Sequence, residues 1–144
     1  MNVTLVPKEH VQELWPAVIP CMERAAEYTY GRYTVDDILD TILEYDHNLW
    51  VAFNEDAVIL GAVVTSFKHY PRMLALDLVF VGGHEGMTWK DVMLKTLQSY
   101  AFDSNCDVIE SSGRLGWSKI FKSDGYKPLW QTYELPVGTS GIGG

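Results

Sequence analysis

Apolar positions recur at helical spacing through the first third of the chain, and beyond residue 48 they gather in short blocks broken by turn residues. Residues 3–6 are a short strand candidate. Behind Pro7, the residues Val11, Leu14, Trp15, Val18, Met22, Ala25 and Ala26 share one helical face. Pro16 and Pro20 fall inside that pattern, which predicts a kink or two short helices, and Gly31 ends the region. A cleaner helix follows in TVDDILDTILEY. Thr34 stands at the N-cap, Asp37 takes the capping-box position three residues on, and Val35, Ile38, Leu39 and Ile42 form the buried stripe.

The next blocks alternate as strands do. LWVAF and AVILGAVVTSF, separated by Asn54–Asp56, predict a hairpin, and residues 73–81 a third strand reached through His69–Pro71. A helix over 88–102 follows, with Trp89, Val92, Met93, Leu97 and Tyr100 on one side. Thr88 and Asp91 are spaced as a second capping box. Residues 107–112 predict a fifth strand, and a short helix around 116–123 ends at Gly125, a C-terminal cap. Residues 127–135 predict a last strand, and residues 136–144 a flexible tail with nothing to add to a core. Strand 73–81, helix 88–102 and strand 107–112 make a βαβ unit, so those two strands should run parallel. The expected fold is α/β: a mixed, mostly antiparallel sheet with one parallel βαβ unit and helices on both faces, in a single domain over 1–135.

Composition changes this picture little. The chain has 144 residues, 47% of them hydrophobic, which suits one domain with one core. The N-terminus lacks a basic stretch followed by an apolar run, and no apolar run approaches the ~20 residues a bilayer span needs, so a cytoplasmic protein is expected. Cys21 and Cys106 lack the spacing of a disulfide framework or metal site, and His10, His47, His69 and His84 lack ligand spacing, so no metal is expected. There is no GxxxxGK[ST] loop, GxSxG elbow or HExxH.

Charge placement says more. Residues 1–56 hold eleven Asp or Glu against three Lys or Arg, a net of −8, while residues 57–144 hold eight of each. An acidic first part repels nucleic acid and favours a cationic partner, although acidic residues that merely solvate helix faces give the same count.

The element order, and the segment GWSKIFKSDGYKPL, resemble the GNAT superfamily, the acetyl-CoA-dependent N-acetyltransferases, over about residues 3–135. The segments GRYTVDDILD, LWVAF, HYPR, VFVGG and SSGRLGW resemble small GNAT-like proteins encoded by tailed phages and prophages. The resemblance implies the acyl-CoA N-acyltransferase fold, with acetyl-CoA bound in the βαβ unit. The pantetheine arm would pair with the edge at Val79, Phe80 and Val81. The pyrophosphate would lie on the loop and helix start at Gly83, Gly86, Met87, Thr88 and Trp89, where free N–H groups and the helix dipole attract an anion. Lys90 and Arg114, with Lys119 and Lys122, are candidates for the cofactor's 3'-phosphate; a solvated basic face is the alternative. In the family's glycine loop, one of three positions matches, at Gly86. Glu85 and Asp91 add negative charge there, and a Thr88–Asp91 cap would use the same N–H groups.

Acetyl transfer to an amine needs a base, a donor for the oxyanion and a proton for the leaving thiolate. Asp77 interrupts an apolar strand, where Asp is disfavoured, and matches the family's carboxylate position; it is the first base candidate. Glu110 on the neighbouring strand is the second. Each has a plainer reading, as an ion-paired or solvent-facing carboxylate. Where the family commonly has a Tyr acid, this chain has Phe121, leaving Tyr126 and Tyr100 as substitutes or as core aromatics. Two functions follow from the resemblance. One is transfer of acetyl from acetyl-CoA to a cationic small-molecule or protein amine. The other is a catalytically silent phage protein in the host cytoplasm or virion, serving as an assembly component or binding module, with phage structural proteins or its own copies as partners. Neither involves nucleic acid or a membrane.

Overall fold

Five strands make one sheet in the computed structural model, which describes residues 1–111 and 125–137. They are β1 (Asn2–Leu5), β2 (Asn48–Phe53), β3 (Ile59–Tyr70), β4 (Met73–Gly83) and β5 (Val108–Ser111), and they lie side by side in chain order. The first three pairings are antiparallel, and β4 with β5 is parallel, as the βαβ pattern requires. The helices are α1 (Lys8–Glu27), α2 (Val35–Glu44) and α3 (Gly86–Asp103).

α1 is one helix of 20 residues, not two short ones. Pro16 and Pro20 are both exposed, so the carbonyls they leave without an N–H partner, on Gln12 and Pro16, face water. The opposite face, Val11, Trp15, Val18, Cys21, Met22 and Ala25, is buried and holds the helix on the sheet. α2 has the capping box expected of it. The Thr34 N–H donates to Asp37 Oδ2 at 2.9 Å, and the Asp37 N–H to Thr34 Oγ1 at 3.2 Å. These bonds hold the Asp37 carboxyl below its usual range.

Both helices pack on one face of the sheet, around Ile38, Ile42, Leu49, Val51, Ala62, Val64 and Phe80. Burying each of these side chains larger than Ala62 contributes roughly 1.5–3 kcal/mol. α3 covers the other face through Trp89, Met93 and Leu97. The last two residues of β4 show both contacts: a Cβ on Gly82 would lie 2.1 Å from the Cys21 carbonyl oxygen of α1, and one on Gly83 would lie 2.9 Å from the Trp89 ring of α3.

The chain divides into two units, Met1–Gly113 and Arg114–Gly144. In the second, Gly125 turns with φ +90°, and the rest of the described segment is neither helix nor strand, so the strand expected over 127–135 is not formed. Alternating apolar residues do not make a strand without a ladder partner. The expected helix around 116–123 lies outside the described residues.

Candidate active site

The first half of β4 is paired on both sides. Residues 75–78 match Val108, Ile109, Glu110 and Ser111 of β5, with Asp77 opposite Glu110. On the other side Asp77 is matched by Ser66 of β3. Alternation along β3 sends Thr65 and Phe67 to the α3 face, where Trp50 Nε1 donates to Thr65 Oγ1 at 3.0 Å and the Phe67 ring lies 5.8 Å from Tyr100. Lys68 and Tyr70 therefore rise on the α1/α2 face, and there they meet the two carboxylates. Lys68 Nζ lies 3.5 Å from Asp77 Oδ2 and 3.8 Å from Glu110 Oε1. The Tyr70 hydroxyl donates to Glu110 Oε1 at 2.5 Å.

These neighbours set the electrostatics. Asp77 is 8% exposed, and its pKa is raised. Burial is the main cause; the Glu110 charge adds to it and Lys68 opposes it. The Tyr70 phenol is pushed up to about 12, first by its hydrogen bond to Glu110. Sequence reasoning found both carboxylates and missed Lys68 and Tyr70. A strand ending at residue 67 leaves them in a loop; β3 in fact runs to Tyr70, and only that length puts them in register with β4.

Beyond Leu78 the strand changes character. Val64 matches Phe80 while Thr65 matches Leu78, so Val79 is an extra residue, a β-bulge. The bulge sends both Val79 and Phe80 toward the α1/α2 core. Tyr33, from the segment between those helices, meets Phe80 edge-on with centroids 4.9 Å apart. Val81 pairs with Val63 on the β3 side. On the β5 side, pairing among the described residues stops at Leu78 and Ser111, where Ser111 Oγ donates to the Leu78 carbonyl at 3.3 Å. The edge at Val79, Phe80 and Val81 has no described strand beside it.

The glycine loop differs from expectation. Gly82 and Gly83 are strand residues, and α3 begins at Gly86 with Glu85 as N-cap at φ +51°. The Thr88–Asp91 capping box is not formed. Thr88 is already the third helical residue, and its Oγ1 donates to the Glu85 carbonyl at 2.7 Å. No side chain caps α3, and a Cβ on Gly86 would meet nothing within 4 Å. Met87 beside it is 76% exposed. Trp89 is buried under the loop and donates from Nε1 to the His84 carbonyl at 2.8 Å.

The remaining candidates fall elsewhere. Lys90 is buried, with its ammonium 3.4 Å from Asp91 Oδ1. Tyr100 lies on the α3 face between Trp50 and Phe67, across the sheet from Asp77. Tyr126 belongs to the second unit. Arg114, Lys119, Phe121 and Lys122 lie outside the described residues. Among the described residues, no cluster of His, Cys, Asp or Glu is placed to hold a metal ion, and no helix is long and apolar enough to cross a membrane.

No protein-family model and no curated protein matches this chain. Solved structures do. A tetramutant of the BH1408 protein from Bacillus halodurans superposes with a TM-score of 0.71 at 14% identity, over 95% of this chain and 100% of that one. A protein described as a probable acetyltransferase gives 0.71 at 16% identity, over 96% and 99%. A ribosomal-protein-alanine N-acetyltransferase from Brucella melitensis biovar Abortus 2308 gives 0.67 at 14% identity, over 95% and 100%. At these identities the likeness is one of fold: the chain has the mixed α/β fold of the GNAT-type acetyltransferases.

Proposed function

We propose that this chain is an acetyl-CoA-dependent N-acetyltransferase acting on a cationic amine. One observation carries the reading: Asp77 and Glu110 stand opposite each other on parallel strands, one pair before the last described pairing of those strands and two residues before the bulge of β4. A buried carboxyl thus stands two residues from the bulge at Val79.

The fit to acetyl-CoA is supported by features of the backbone. The edge at Val79, Phe80 and Val81 offers main-chain groups to an amide-bearing arm, as an added strand would use them. The start of α3, which no side chain caps, presents the N–H groups of Gly86 and Met87 and a positive dipole end to a pyrophosphate, while the Thr88 N–H donates to the Glu85 carbonyl at 2.8 Å. Gly83 and Trp89 support that loop by packing. When bound, the cofactor supplies an activated acetyl thioester. Asp77 takes the proton of the acceptor ammonium, a task for which its raised pKa suits it. The bulge at Val79 frees main-chain polar groups from the ladder, and an N–H there is the candidate donor to the oxyanion. The acceptor is cationic because Asp77, Glu110 and the net −8 of residues 1–56 all favour an ammonium. Protonation of the thiolate falls to solvent, since Tyr100 lies across the sheet.

By its sequence resemblance we assign the chain to the small GNAT-like proteins of tailed phages, working in the host cytoplasm. The same setting allows a second reading, a GNAT fold without chemistry, favoured by Phe121 and by Tyr100 on the far face. A thermal-shift titration separates the two. The enzyme reading predicts stabilisation that grows with acetyl-CoA concentration; no shift at millimolar cofactor removes it.

A further inference from the structure

We propose that Lys68 is an acetyl acceptor within its own chain, modified at Nζ by the thioester bound beside β4. This rests on the acetyl-CoA reading above. Lys68 belongs to β3, opposite Ala75, yet its ammonium approaches both Asp77 of β4 and Glu110 of β5. To do so the side chain reaches over β4, so that Nζ lies beside Asp77, two residues before the bulge at Val79. Val79 is two residues from Asp77, ~7 Å along the strand. A thioester carbonyl at the bulge is then within a rotamer change of a flexible four-carbon stem that is half exposed. The group that would deprotonate a foreign ammonium already faces this one.

The step balances. The Lys68 ammonium gives one proton to the Asp77 carboxylate, which passes it to water. The neutral amine forms an N–C bond to the thioester carbonyl carbon. The C–S bond breaks with its electron pair on sulfur, and the second nitrogen proton passes to solvent, which returns one to that thiolate. An amide and a free thiol result, with nothing oxidised or reduced. The product removes the cation between Asp77 and Glu110, leaving both carboxylates without their lysine partner to attract the ammonium of an incoming acceptor. Two other lysines are less well set. Lys8 is held by the carbonyls of Ile42 and His47, and Lys90 is buried beside Asp91.

The test is to incubate the full chain with acetyl-CoA and no acceptor, and to follow acetylation of each lysine by peptide mass spectrometry. Thermal-shift titration with coenzyme A runs in parallel on wild type, Lys68→Arg and Asp77→Asn. The expected result is labelling of Lys68 about 10²-fold faster than of the exposed Lys95, the lower bound of general-base catalysis. The rate per chain should not depend on protein concentration. Asp77→Asn should bring Lys68 down to the Lys95 rate while keeping the stabilisation by coenzyme A. Stabilisation with equal labelling of Lys68 and Lys95 overturns self-acetylation and leaves the transferase reading standing. A rate proportional to protein concentration overturns the intrachain step. Absence of stabilisation in the wild type overturns both.

Discussion

Residues 75–78 of β4 are paired with strands on both sides and carry a charged cluster, whereas among the described residues Val79 bulges and residues 80–83 are paired with β3 alone, ending in two glycines. From sequence, the second stretch looks like the functional one, because glycines before a helix suggest a phosphate loop. In the fold, the Cys21 carbonyl of α1 leaves no room for a Cβ on Gly82, and the Leu60 carbonyl of β3, with Trp89, leaves none on Gly83. The first stretch looks like an apolar strand with one misplaced carboxylate, and it is there that Asp77, Glu110, Lys68 and Tyr70 converge. A glycine is thus informative about ligands only where nothing else explains it, which among the described residues singles out Gly86.

The largest effect expected from this contrast is kinetic. Asp77→Asn should lower the acetylation rate by about 10²–10⁴-fold while leaving stabilisation by coenzyme A intact. A variant that keeps its rate would place the base elsewhere. Next is Gly82→Ala, which presses a methyl against the Cys21 carbonyl and should cost about 3 kcal/mol in denaturant unfolding. A neutral result would mean that α1 does not pack on β4 as closely as described.

Gly86→Ala sharpens the comparison by inverting it. With open space around it and no positive φ, this position should gain about 0.4–1 kcal/mol of stability. The same change should weaken cofactor binding, because the added methyl stands where a pyrophosphate would approach; unchanged affinity would clear Gly86 of a role. The smallest effect is a pH dependence. Asp77 has a raised folded pKa, so the stability it contributes is full below the unfolded value near 3.8 and is lost as pH rises through the folded one. Wild type should lose stability relative to Asp77→Asn across that window; a constant difference would mean that burial does not penalise the charge.

Local signals were read well where the chain settles its own geometry. Thr34 and Asp37 form their capping box as spaced, and the βαβ unit gives the parallel pair. Signals failed where a distant partner decides. Pro16 and Pro20 do not divide α1, because both lie on its wet face and the buried face holds the helix together. Thr88 does not cap α3, because the helix starts two residues earlier at Gly86. Residues 127–135 alternate as a strand would but gain no ladder. Lys68 and Tyr70 could be placed beside Asp77 and Glu110 only once the hairpin's length, and so its register, was known.

Amide hydrogen exchange with and without coenzyme A tests the central claim most directly, because it reads the edge at residues 79–81 residue by residue. The account predicts that coenzyme A slows exchange at Val79, Phe80 and Val81 and at the start of α3, Gly86 and Met87. Unchanged exchange at those amides, with cofactor bound, would contradict it.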